Sequence, residues 1–297
     1  MAARNEFRLT RSLYLPFALL LPAGLVLAAG QGRVEKSFRA LPNCHVRISN
    51  PPGGTIVIRG WDKSEVHAVC VTNSSKVEVD TDPMPANEEA ERLEFVTHIL
   101  RQDATPEERT TNYELDVPKD ASLIINNPSG NVSVEHVSGD DSIESVKGAI
   151  SVVDGAGFIQ VRSLNGDITL LRPAGHVEAT SIMGNLIITG AQSQRINAQT
   201  GSGKITFDGD FQAIGDYILK TYAGDINVIC PSSDSIALDA SSVRGRLDVD
   251  TLFKLTRKAH IPYSAPHGAS TLGDINRGDA SVTIKSFSGA IHIRPRS

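Results

Sequence analysis

One short phrase, repeated between Leu123 and Val249, constrains this chain more than any other feature. Each copy has two alternating apolar positions, a short polar link, a glycine, then two more alternating apolar positions. Gly130, Gly148, Gly166, Gly184, Gly203, Gly224 and Gly245 carry it at intervals of 18, 18, 18, 19, 21 and 21 residues, and Gly289 marks an eighth copy. Pairs such as Ile159/Val161 and Leu238/Ala240 precede the glycine, and pairs such as Ile168/Leu170 and Ile226/Val228 follow it. The copy leading to Gly148 is weaker, because only Ile143 fits upstream. Alternation of period two means strands with one buried face.

A copy this small cannot close on itself. Its four inward aliphatics do not offset the conformational entropy lost in ordering the rest of the copy. Stacking resolves this, since each strand then pairs with its equivalent in the next copy. The pattern predicts an all-β chain, a single-chain parallel β-solenoid with about 18–21 residues per coil. A propeller needs blades of about 40 residues, and a sandwich gives no reason for one phrase to recur in one register. The glycine suits a corner that needs positive φ or close backbone approach. Replacing Gly166 or Gly184 with valine is therefore expected to cost far more than replacing Gly268.

The rest of the chain is read around this array. Residues 33–118 form an N-terminal β segment with a diverged first coil, turning at Asn50-Pro51-Pro52-Gly53-Gly54. Within it, 80–111 reads as a partly mobile excursion. Residues 119–250 hold the regular coils, 251–279 a second loop excursion, and 280–297 the closing coil.

The first residues have the anatomy of a leader. Arg4, Arg8 and Arg11 surround the start of an apolar run from Leu13 to Leu27, and Ala28, Ala29 and Gly30 follow. This predicts a signal peptide over residues 1–29 and export to the periplasm or cell surface. The alternative is an uncleaved anchor, although the run is short for a bilayer span and contains Pro16 and Pro22. The C-terminal Arg294-Pro295-Arg296-Ser297 carries no apolar tail, so no C-terminal anchor is expected. Cleavage would move the net charge from −5 to −7. A mildly acidic chain without basic clusters does not suit nucleic acid, and membrane contact is expected only if the leader is retained. Of Cys44, Cys70 and Cys230, the first two are candidates for a disulfide in an oxidising compartment; the alternative is three buried thiols acting as small hydrophobes.

The stretch Val117-Pro118-Lys119-Asp120-Ala121-Ser122-Leu123, followed by Ser129-Gly130-Asn131-Val132 and its successors, resembles the bacterial DUF4097 family. Gly54-Thr55-Ile56-Val57-Ile58-Arg59-Gly60-Trp61-Asp62 is similar to that family's N-terminal segment. The likeness runs from about Val46 to Ile293, apart from the two excursions. It implies an exported or membrane-associated β-strand repeat protein carrying an adhesin label. Its motifs are structural glycines and aliphatics, so it brings no catalytic or ligand-binding residue.

A search for chemistry finds little. A polysaccharide-cleaving β-helix needs a carboxylate pair in a groove. Asp140, Asp141, Asp167, Asp208, Asp210 and Asp225 are the candidates, and turn chemistry explains aspartate at such places. Outward positions such as Ser133, Thr169, Gln160, Gln199, Lys220 and Lys285 read as polar ladders with no row of aromatics among them. Trp61 reads as a core or corner residue. No histidine or cysteine pair has metal-ligand spacing, and no nucleophile motif is present, so no catalytic residue, metal or cofactor is assigned. Lys254, Arg257, Lys258 and His260 form a candidate contact loop. The expected function is a noncatalytic cell-envelope scaffold or adhesin-like interaction module whose partner is an envelope protein or glycan. A carbohydrate-active β-helix enzyme and a self-assembling solenoid are the alternatives.

Overall fold

A computed structural model describes residues 32–86, 88–258 and 268–296; the leader and His260 lie outside them. The chain is a β-solenoid. Each coil contributes two short strands, as in Phe158–Ser163 and Ile168–Leu171. The first strands pair in parallel along one face and the second strands along the other. Inward side chains stack in register. Ile159, Val177, Ile196 and Tyr217 form one such column, and Ile168, Leu186, Ile205 and Ile226 another. All are buried in one continuous core. Burying both faces against each other, with the strands of successive coils parallel, lets each coil satisfy the backbone of the next.

The glycines mark the corner between the two strands, and close approach is the reason for them. A Cβ on Gly184 would overlap the carbonyl of Gly166, one on Gly203 that of Gly184, and one on Gly224 that of Gly203. Positive φ is confined to the early members Gly54, Gly130 and Gly148. A second column runs beside the first, three residues upstream of each glycine. The hydroxyl of Ser181 accepts from the Gly184 N–H at 2.8 Å and donates to the Gly166 carbonyl at 3.2 Å. Thr200 repeats this with Gly203 and Gly184, and Ser286 with Gly289 and Gly224. In the first coils asparagine takes over: Asn127 Nδ2 donates to the carbonyls of Gly54 and Gly130.

Order along the rod departs from order along the chain at both ends. From Ser122–Ser129 to Asp216–Thr221 the first strands follow the sequence. Beyond Asp216–Thr221 the neighbour is not Ile236–Ser242 but the C-terminal Ala280–Ser286, which lies between them. Its second strand, Ile291–Pro295, likewise separates Ile226–Cys230 from Leu247–Val249. The coil around Gly289 is thus inserted, not closing, and Gly289 sits on Gly224 while Gly245 sits on Gly289. The N-terminal end mirrors this. Gly32–Ser49 and Ile56–Trp61 are followed outward by Ala90–Ile99 and Thr111–Pro118. Residues 80–111 therefore supply most of an outermost coil's first strand and the one-turn helix Pro106–Arg109, started by a Thr105/Glu108 capping box. They are not an excursion from the main body.

Antiparallel strands cover most of the sheet edges. Glu65–Thr72 pairs with Thr111–Pro118 and with Gly32–Arg39, and Val77–Met84 pairs with Ala90–Ile99. At the other end Ala269–Ile275 pairs with Ile236–Ser242, and Leu255–Arg257 pairs with it in turn. The 251–279 segment thus contributes two edge strands. Leu247–Val249, only three residues long, pairs with Ile291–Pro295 alone.

Two expectations about single residues change. Cys44 and Cys70 are separate buried thiols, not a bridge. Cys70 lies opposite Val34, whereas that antiparallel pairing ends at Arg39, five residues short of Cys44. Burial pushes the Cys44 thiol up to about 11 and those of Cys70 and Cys230 to about 12. Asp141 is not a turn residue. It occupies the core column between Leu123 and Ile159, 1% exposed, and neither carboxyl oxygen has a hydrogen-bond partner. Burial, with Asp140 nearby, raises its pKa from 3.8 to about 8.

Three predictions follow from the corner and the core. Gly184→Ala is expected to cost about 3 kcal/mol or more through backbone overlap. Gly190→Ala, where φ is +64° and the added Cβ meets only the Arg172 side chain at 3.2 Å, costs about 1–2 kcal/mol. Gly268 is a poor control, since its Cβ would meet the Ser242 and Val243 carbonyls at 2.6 and 2.7 Å. Ser181→Ala strips both corner bonds and loses about 1–3 kcal/mol. Ser145→Ala is close to neutral, because Ser145 Oγ has no partner. Denaturant melts of the four variants check both comparisons. Asp141 stays protonated in the folded chain while the unfolded chain ionises near 3.8, so its cost to stability grows as pH rises from about 4 to about 8 and then levels off. Asp141→Val should therefore gain on the order of 4 kcal/mol more at pH 7 than at pH 4. A gain that did not rise with pH would contradict a protonated buried carboxyl.

Candidate functional site

The charged residues singled out from the sequence are mostly engaged in holding coils together. Asp140 Oδ1 accepts from the Phe158 N–H at 2.8 Å, Asp167 Oδ1 from Asn185 at 2.7 Å, and Asp225 Oδ1 from Ala290 at 2.7 Å. Each carboxylate caps the residue equivalent to its own on the neighbouring coil, Asp140 ahead of a first strand and the other two just past the corner glycine. Asp208 and Asp210 bind Arg296, at 2.9 and 2.6 Å, while Arg294 reaches Asp248 on the opposite side. These arginines tie the inserted C-terminal coil to coils on both flanks. The Arg294 contact holds the Asp248 carboxyl below the usual carboxylate range.

A third polar column follows the second strands. His136, Asp154 and Arg172 all adopt positive φ, at 58°, 52° and 50°. Asp154 takes a bidentate contact from Arg172 at 2.6 and 2.7 Å and lies 3.2 Å from His136 Nδ1. The Arg172 hydrogen bonds lower the Asp154 pKa. Asp154 and Arg172, one coil spacing apart, thus neutralise each other. Trp61 is half-buried at a corner, its Nε1 donating to the Glu65 carbonyl at 2.7 Å with Lys63 over the ring.

The candidate contact loop is dispersed. Lys258 pairs with Asp274 at 2.8 Å, Lys254 is exposed, and Arg257 lines a concavity of about 1240 Å³ at the end of the stack, with Leu247, Phe253 and Ser270. No group of three metal-ligating side chains occurs among the described residues, and none of their helices is long and apolar enough to cross a membrane.

A surface that the sequence reading missed lies at the corner itself. The residue after each corner hydroxyl points outward: Val146, Leu164, Ile182, Gly201, Tyr222, Phe287 and Val243, in spatial order. Backbone bonds connect these turns from coil to coil, as in Met183 N–H to Leu164 C=O and Arg244 N–H to Phe287 C=O. The result is an exposed apolar ridge in which Ile182 is 53%, Met183 59% and Tyr222 64% exposed. Tyr222 and Phe287, 65 positions apart in sequence, stack with ring centroids 4.7 Å apart and planes 3° from parallel. Arg244 sits 5.0 Å over the Phe287 ring. Aromatics therefore do line up on this rod. They belong to coils that are neighbours only because the C-terminal coil is inserted. Reading the position after each Ser-x-x-Gly or Thr-x-x-Gly hydroxyl down the copies would have exposed the apolar ridge.

Beside the aromatic pair runs a groove of about 390 Å³ lined by Gln199, Lys220, Tyr222, Ser241, Lys285 and Phe287, among others. Lys220 and Lys285 lie opposite each other in register. Lys285 contacts Asp239 at 3.2 Å. Lys220 has no ion-pair partner among the described residues.

Comparison with known proteins matches the chain to the family model described as Toastrack DUF4097 over residues 61–294. No curated protein matches. Among solved structures, a "putative adhesin" from Bacteroides fragilis is similar at 12% identity, covering 89% of this chain and 97% of its own, with a TM-score of 0.46. A "putative cell adhesion protein" from Clostridium sporogenes has 11% identity, coverage of 89% and 100%, and a TM-score of 0.27. A "putative lipid binding protein" from Parabacteroides distasonis has 10% identity, coverage of 91% and 98%, and a TM-score of 0.37. With its family model spanning more than three quarters of the sequence, this chain belongs to the Toastrack DUF4097 family.

Proposed function

We propose that the chain is a noncatalytic, exported β-solenoid that serves as an adhesin-like interaction module of the cell envelope. The observation that carries this reading is the exposed apolar ridge along the corner, from Val146 through Ile182 and Met183 to Val243. Contiguous exposed apolar surface on a soluble protein marks an interaction site more often than a structural need. Here the fold does not need it, because the corner is already held by the glycine and hydroxyl columns. The candidate acids support a noncatalytic role, since Asp140, Asp167, Asp208, Asp210 and Asp225 are engaged in links between coils. The covered edges favour a discrete rod over a filament. Adding a copy at the N-terminal end would require displacing the antiparallel strands Gly32–Arg39 or Val77–Met84, both rich in charge. The partner is then an envelope protein or glycan met through the side of the rod.

Retention on isolated cell envelopes tests this. The wild-type chain should co-sediment with them and release no soluble saccharide. The double variant Ile182→Ser/Met183→Ser should fold normally and lose most of that retention. Saccharide release would favour the enzyme reading, and absence of retention by the wild type would refute the adhesin-like one.

A further inference from the structure

From the corner around Gly201 we infer that the chain carries a binding site for an acidic glycan, a pyranose chain bearing carboxylates. This rests on the reading of the rod as an envelope interaction module. In the ridge, Gly201 occupies the place held by Ile182 in the preceding coil and Tyr222 in the next. It has no side chain, because a Cβ there would meet the Ile182 carbonyl at 2.6 Å, so one rung is missing from the row of outward side chains. Ile182 and Tyr222 are two coils apart, on the order of 10 Å, and the gap between them is one ring deep. Tyr222 stacks on Phe287 with one face, along the rod. Its other face is therefore turned toward the empty rung over Gly201. A sugar ring lying in that gap would set its apolar C–H face against the tyrosine, with Ile182 on its far side.

The rim supplies the polar half of the recognition. Gln199, on the Gly201 coil, and Lys220, on the Tyr222 coil, point out of the same face and line the adjoining groove with Lys285. Two lysines directly opposite in register repel each other. Asp239 offsets this for Lys285 only, so an anion held beside Lys220 would relieve a repulsion that the fold leaves in place. The groove extends from Gln199 past Phe287 to Val243, across four coils. That length suits a short oligosaccharide better than a single sugar. It is shallow and flanked by charge, which suits a hydrated glycan better than an acyl chain.

Calorimetric titration of the full chain with a uronic-acid trisaccharide tests the assignment, alongside its methyl-esterified counterpart and phosphatidylglycerol vesicles. The acid trisaccharide should bind and the ester should bind more weakly. Lys220→Gln should weaken the acid form about fivefold and remove most of its preference over the ester. Tyr222→Ala should weaken both forms up to about tenfold. Both side chains are on the surface, so the two variants should melt with the wild type. Equal affinity for acid and ester, unchanged affinity in both variants, or binding of vesicles in place of the trisaccharide would overturn the inference. Envelope retention that persists in Lys220→Gln and Tyr222→Ala would sink this site while leaving the adhesin-like reading standing. Loss of wild-type retention would sink that reading instead.

Discussion

The rod depends on one contact, repeated: a glycine laid against the carbonyl of the glycine one coil away. No side chain fits between them, from Thr111 and Gly54 at one end to Gly289 and Gly245 at the other. That approach brings a polar carbonyl into a tight, buried corner, where an unmet acceptor would be costly. The serine or threonine three residues upstream meets the need. Its hydroxyl accepts from its own coil and donates to the neighbour's carbonyl, so one oxygen ties two coils. The spacing Ser-x-x-Gly is thus an element of axial stacking as much as a turn. Coil length can vary from 18 to 21 residues because the slack falls in the other connections, away from this corner.

A solenoid built this way leaves raw strand edges at its two ends, and the chain deals with them by threading. At each end the coil that comes outermost in space is not outermost in sequence. The C-terminal coil slides between Asp216–Cys230 and Ile236–Val249, fixed by Arg294 to one side and Arg296 to the other. The N-terminal coil is covered by Ala90–Pro118. The inserted C-terminal coil is then held between coils, where fraying would expose core, while Gly32–Arg39 lies at a sheet edge. All but one of the remaining edges receive antiparallel strands, which need no further coil to complete them, and the exception, Leu247–Val249, is only three residues long.

These features separate what sequence can say from what it cannot. The strand alternation and the glycine period are local, so the coil was legible from Leu123 to Val249. Gly54 and Gly289 were legible as copies for the same reason. The order of the coils was not, because every copy presents the same register and any one could sit beside any other. Nothing in Gly289 itself says that it rests on Gly224. The stacking of Tyr222 on Phe287 went unseen for that cause. Ala90–Ile99 was obscured differently, since polar Thr97, bonded to the Tyr113 hydroxyl, takes the buried position after Phe95 while apolar Val96 faces outward. Asp141 was misread because Ser-Gly-Asp-Asp looks like a turn; the first aspartate is one, and the second already belongs to the core column.

The same separation explains where recognition can arise on such a rod. Outward positions on the strands face their equivalents one spacing away, and compatible polar ladders such as Gln160 beside Glu178 satisfy one another. The corner is different. Its hydroxyl and glycine hold the buried corner, which leaves the side chains between them outside the core. Those positions vary from leucine and isoleucine to glycine, tyrosine and phenylalanine without disturbing the column behind them. At Gly201 the Ile182 carbonyl, 2.6 Å from where a Cβ would lie, keeps the side chain absent, and the row of outward side chains has a gap one coil wide. Insertion of the C-terminal coil then places Phe287 behind Tyr222, stiffening an aromatic ring that would otherwise stand alone on the surface. Stability and recognition are thus carried by the outer and the inner pair of residues of one four-residue turn, and a change in partner requires no change in fold.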